Sequence, residues 1–204
     1  PTLPSFPNND NLTLTIPVAA FGACSAPFFQ TAFTQVMVTD NGCMTFGGGV
    51  APTPYVASAL SAPGKFGVWC DLWAPTGGIN VTSPYPGALR LSFSSVRYYL
   101  TGNLNSFSLT LDSANGVLSI ENVAGITANS VYPSSNQFVG ISRGLGATDP
   151  GQTDFSGSIG LGPQPGPGGT AMIYRFGPEG TLAPGVTSIT FTPNGTGNYN
   201  FIVY

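Results

Sequence analysis

Short segments in which apolar and polar residues alternate, cut apart by glycine and proline, constrain this chain more than any other feature. Asn11 to Ile16 (NLTLTI) sets Leu12, Leu14 and Ile16 on one side of an extended backbone and polar residues on the other. Ala88 to Val96 repeats the period, with Leu89, Leu91 and Phe93 against Arg90, Ser92 and Ser94. Phe107, Leu109 and Leu111 do the same against Ser106, Ser108 and Thr110, and Asn115-Gly116 then signals a tight hairpin with Val117 to Val123 returning. Further strands are expected over Phe33 to Thr39, Phe66 to Leu72, Phe138 to Ser142, Thr170 to Phe176, Ser188 to Thr192 and Asn200 to Tyr204. No stretch sustains a 3.6-residue period, and Tyr55 to Ser61 (YVASALS) offers a helical turn or two. With 28 glycines and 19 prolines in 204 residues, longer helices would be interrupted. The pattern predicts an all-β chain, an antiparallel β-sandwich or jelly roll of about ten strands with negligible helix.

A chain of 204 residues can bury one sizeable core but hardly two. Residues 1–10 are expected as an N-terminal arm, and Gly160 to Gly169 (GLGPQPGPGG) as a long loop within the domain rather than a linker. Residues 177–204 are too few for a core of their own. They are expected to add strands to the same sandwich or to pair with a neighbour. A start at Pro1 fits either a removed signal segment or an initiator methionine trimmed before proline.

Charge narrows function by exclusion. Only 6% of residues are charged, against about 25% in ordinary domains. Lys65, Arg90, Arg97, Arg143 and Arg175 are the whole cationic complement, so no basic stripe can follow a phosphate backbone and nucleic acid is excluded as a partner. No apolar run reaches the roughly 20 residues of a membrane helix, so no membrane partner is expected. The absence of histidine removes the commonest general base and transition-metal ligand together. A polar but uncharged surface suits a chain outside cells or one covered by neighbouring subunits. Cys24, Cys43 and Cys70 match no zinc or redox spacing, and leave open one disulfide with a free thiol or three reduced thiols.

Motifs for catalysis fail one by one. Gly64-Lys65 is the only possible end of a phosphate loop, but Ala59 stands where the first glycine belongs and Phe66 where Ser or Thr belongs. Gly157 and Gly160 frame Ser158 at the wrong spacing for a nucleophile elbow, and no histidine could activate it. No catalytic residue and no cofactor is expected. Asp149 and Asp154, in ATDPGQTDFSG, are weak calcium candidates whose neighbours read first as turn residues. In Trp69-Cys70-Asp71-Leu72-Trp73, strand alternation puts Trp69, Asp71 and Trp73 on one face and Cys70 and Leu72 in the core, with Asp71 anchoring a turn by accepting backbone donors. Trp73, Tyr85, Tyr98 and Tyr99 are the candidate exposed contacts for a partner.

Several of these segments line up in an order that resembles the nidogen-like extracellular domain. They are VMVTDNGCMTFG (Val36 to Gly47), FGVWCDLWAPTGGINV (Phe66 to Val81), ALRLSFSSV, NSFSLTLDSANGVLSI and FVGISRG, and the resemblance runs from Asn11 to about Phe176. It implies a non-enzymatic β-sandwich in which Asn41 and Gly42 form a structural turn and Trp69 and Asp71 a structural landmark. Ser108 and Cys43 depart from the family's usual residues, and nothing after Gly177 corresponds.

Composition and resemblance together give two expectations. The first is a structural or assembly protein, such as a coat, cement or decoration protein on the virion of a bacteriophage, whose partners are other protein subunits in a homo-oligomer or capsid lattice. The alternative is a secreted or cell-surface adhesion module that binds matrix, protein or glycan.

Overall fold

A computed structural model describes residues 3–7, 9–48, 56–61, 63–76, 78–126, 138–166, 171–175, 182 and 185–204. Among them run sixteen strands: β1 (Thr13–Pro17), β2 (Ala26–Phe28), β3 (Thr31–Phe33), β4 (Gln35–Thr39), β5 (Cys43–Phe46), β6 (Pro63–Trp69), β7 (Leu72–Trp73), β8 (Gly78–Thr82), β9 (Ala88–Tyr98), β10 (Leu104–Asp112), β11 (Val117–Ala124), β12 (Phe138–Gly144), β13 (Gln164–Pro165), β14 (Ala171–Arg175), β15 (Ile189–Pro193) and β16 (Tyr199–Val203). The one α-helix described, α1, spans Val56–Ser61, within the stretch where a helical turn was expected. The strands exceed the expected ten chiefly through short pieces such as β2, β3, β7 and β13.

Two antiparallel sheets carry the molecule. One runs β1-β4-β5-β6-β12-β14; the other runs β13-β16-β15-β11-β10-β9-β7, with β8 also on the outer side of β9. Alternation selects the faces that meet between them: Val36, Val38, Met44, Phe66, Val68 and Ile141 from the first sheet, and Leu89, Leu91, Leu109, Leu111 and Phe191 from the second. Phe66 and Phe191 meet edge to face across the gap at 5.9 Å. This all-β sandwich is the expected architecture.

The C-terminal strands belong to the same sandwich, since β15 pairs with both β11 and β16. The Gly/Pro-rich segment is not wholly loop: β13 adds a two-residue edge strand to β16. In the expected N-terminal arm, Leu3 and Phe6 pack against the main core.

Candidate interaction site

The Trp-Cys-Asp-Leu-Trp stretch is a corner at which the chain changes sheets. β6 ends at Trp69 in the six-stranded sheet, Cys70 and Asp71 leave the ladder, and Leu72–Trp73 joins β9 of the other sheet. The expected single face for Trp69, Asp71 and Trp73 is therefore wrong. Trp69 is buried on the outer side of the first sheet, stacked on Phe138 at 6.1 Å, whereas Trp73 is exposed on the second. Cys70 and Leu72 do lie in the main core.

Asn41 and Gly42 pin this corner. The carbonyl of Gly42 accepts the Val68 N–H at 2.8 Å, and the carbonyl of Asn41 accepts that of Cys70 at 3.4 Å. The Asn41 side chain accepts the buried Leu72 N–H at 2.8 Å, so one amide reaches the first residue of the new sheet. The Asp71 main-chain carbonyl accepts the Tyr99 N–H at 2.8 Å.

Beneath α1, the outer face of the first sheet holds a second, smaller core of Cys43, Ala59, Trp69, Phe138, Ala171 and Ile173. Lys65 is buried in it with its ammonium 4.2 Å over the Trp69 ring, donating to the Ser58 carbonyl at 3.0 Å and the Ser58 hydroxyl at 3.2 Å. Ser142, paired with Lys65 on β12, donates to the Ala59 carbonyl at 3.1 Å and so ties the helix down. Burial lowers the Lys65 pKa from 10.5 to about 8. Burial also pushes the Cys43 thiol up to about 12 and the Cys70 thiol well above its ordinary value. All three cysteines are free thiols and only Cys24 is exposed. A colourless-to-yellow disulfide reagent should therefore titrate a single thiol in the native protein and all three after unfolding; two native equivalents would contradict the packing.

The candidate contact residues separate. Tyr98 is 0% exposed and belongs to the main core, which corrects its reading as a contact. A β-bulge is the cause. β9 pairs Phe93 with Phe107 and Val96 with Asn105, so Ser94 and Ser95 together oppose Ser106, and Ser95 takes a φ of +52°. One inserted residue inverts the phase of every side chain beyond it. Val96 and Tyr98 turn inward, and Arg97 turns outward. A second bulge at Asn122 (φ +54°) in β11 lies beside the first on the other flank of β10.

Outward from these bulges three strands present one row. Trp73 of β7 faces Arg97 of β9, which faces Leu104 of β10. Trp73 is 40% exposed and Leu104 51%; Tyr99 meets the Trp73 ring edge to face at 6.4 Å, and the exposed Leu100 follows in the hairpin turn. Tyr85 is exposed at the opposite end of β9, roughly 30 Å away at about 3.3 Å per residue, where its hydroxyl faces the Asp112 carboxylate at 3.4 Å. Arg97, Leu100 and Leu104 were not anticipated; the outward turn of Arg97 depends on the bulge.

A second concavity lies at the tip of the β2–β3 hairpin. It encloses about 220 Å³ among Phe28, Phe29, Phe33 and Phe46, with Arg143 and Leu145 at its rim. Phe28 and Phe46 stack at 4.0 Å. The turn residues Phe29 and Gln30 have φ of +44° and +64°, a two-residue turn of the type that normally takes Asn-Gly. Packing of Phe29 on Tyr199 at 4.9 Å, and a 3.1 Å hydrogen bond from Gln30 to the Gly195 carbonyl, hold it there. The shape can receive a small apolar group with an acidic end.

Both calcium candidates are engaged by the chain itself. Asp149 is ion-paired with Arg175, which holds its carboxyl below the usual range, and Asp154 accepts the Ser156 hydroxyl and the Ser156 and Gly157 N–H groups within its own turn. Among the described residues, no three histidine, cysteine or acidic side chains come together as a metal site.

With that geometry in place, comparison with protein families, with curated proteins and with solved structures returns no match to this chain.

Proposed function

We propose that this chain is a non-enzymatic structural or assembly protein that works through protein–protein contacts, as a coat, cement or decoration subunit on a virion surface. The observation that carries the reading is the exposed row Trp73, Arg97, Leu104, with Tyr99 and Leu100 beside it. Trp, Tyr and Arg are the side chains in which binding energy concentrates at protein interfaces, and a row of them held on a sheet loses little entropy when covered. The scarcity of charge supports the same reading, because subunit-covered surfaces need few lysines and glutamates.

The test is a Trp73→Ser/Leu104→Ser double variant compared with the parent by light scattering across a concentration series and by co-sedimentation with native particles. Neither side chain is in the core, so the unfolding free energy should move by less than about 1 kcal/mol. Association should weaken at least tenfold. Equal association of parent and variant would overturn the reading, as would a parent that neither self-associates nor binds particles.

The Trp73 ring, exposed beside Tyr99, favours one alternative, a secreted adhesion module that stacks a sugar or a partner side chain on this indole. Selective glycan binding by a monomer, abolished in the same variant, would replace the assembly reading with it.

A further inference from the structure

A buried carboxylate, Asp40, and a part-buried one, Asp10, lie within electrostatic reach of each other, with none of the chain's lysines or arginines set against them. Asp40, in the β4–β5 turn, is 0% exposed. Its N–H donates to the Leu12 carbonyl at 3.2 Å, and its Oδ2 accepts the Leu12 N–H at 2.9 Å, which sets it against the segment leading into β1. Asp10 stands two residues before Leu12, and its Oδ2 accepts the Asn11 side-chain amide at 3.0 Å. The remaining oxygens, Asp40 Oδ1 and Asp10 Oδ1, are both shielded from solvent and meet no hydrogen-bond donor. A desolvated carboxylate oxygen without a donor is costly enough that folded chains supply a partner.

No such partner comes from the chain's five cations. Lys65 is held by Ser58 and Trp69, Arg90 by Glu121 and Arg175 by Asp149. Arg97 stands in the Trp73–Leu104 row and Arg143 at the aromatic concavity. The charge acting on Asp40 is that of Asp10, and it is repulsive.

We propose that Asp10 and Asp40 share a calcium ion through these two Oδ1 atoms. Carboxylate oxygens are hard donors, which zinc prefers less than imidazole nitrogen or thiolate sulfur. A loop offering two carboxylates, with carbonyls and water to complete the shell, suits calcium's flexible coordination better than magnesium's strict octahedron. Two carboxylates place the affinity in the submillimolar to millimolar range typical of extracellular modules. The ion fastens the segment before β1 to the turn that carries Asn41 and Gly42.

Thermal unfolding at neutral pH tests this, comparing chelator, about 10 mM calcium chloride, and sodium chloride of matched ionic strength. Calcium should raise the midpoint by about 3–5 °C over sodium chloride. Asp10→Asn and Asp40→Asn should each abolish that increment, while Asp149→Asn keeps it. Both test variants remove a charge while preserving the side chain's shape, so they fold, and the readout is the increment rather than the absolute midpoint. No increment in the parent, or an undiminished one in either test variant, overturns the proposal.

Discussion

Gly42→Ala is expected to lower unfolding free energy by about 3–5 kcal/mol in urea titration. Gly42 has φ +81°, and a β-carbon there would fall 2.3 Å from the Val68 carbonyl oxygen and 3.1 Å from the Phe107 ring. Neither can retreat, because the Gly42 carbonyl is itself bonded to Val68 N–H and Phe107 is packed in the main core. Gly146→Ala separates strain from collision. Gly146 has nearly the same φ, +80°, but open space around its missing side chain, so alanine there should cost only about 1 kcal/mol. Equal costs at the two sites would show that the corner is not sterically closed. Asn41→Ala should cost about 1–3 kcal/mol for a different reason, since the Leu72 N–H is left buried without its acceptor.

Lys65→Met is expected to stabilise the protein at pH 7 by about 1–2 kcal/mol and to be less stable than the parent near pH 10. Burial holds the folded-state pKa at about 8, against 10.5 unfolded. Below pH 8 both states carry the proton, and the fold bears the full cost of a buried ammonium, about 3 kcal/mol for a shift of this size. Between pH 8 and 10.5 the folded state has released the proton while the unfolded chain still binds it, so this residue's contribution to stability rises with pH. Methionine removes the charge and keeps the stem, but strands the Ser58 carbonyl that Lys65 now satisfies. The comparison must be between parent and variant at each pH. Raised thiol pKa values at Cys43 and Cys70 pull the absolute stability downward over the same interval and cancel in the difference. A difference independent of pH from 7 to 10.5 would mean that the ammonium is solvated.

Much of the sandwich was legible because period-two alternation is a direct imprint of one buried face. Asn41, Gly42, Trp69 and Asp71 were legible as landmarks, and the structure brings them together at one corner. The corner itself was hidden: the residues of Val68 to Leu72 are nearly all buried, so no change of pattern marks where the chain leaves one sheet for the other. Tyr98 was misread because Leu91 and Phe93 set a phase that a single inserted residue at Ser94-Ser95 then inverts, and no residue type there announces a bulge. Lys65 reads as a surface lysine from its chemistry alone. Its burial depends on a six-residue helix whose sequence periodicity is weak.

The sheet-changing corner also bears on how the molecule comes apart. β6 and β7 are one continuous stretch divided between the two layers, and Asn41 on one side holds Leu72 on the other. Neither layer can peel away as an independent foldon without breaking the strand connection and the core between them, so the sandwich forms and melts as one cooperative unit. Assembly of that unit waits on closing the long loop that joins residues 41 and 72, which places this fold among the slow, topology-limited ones.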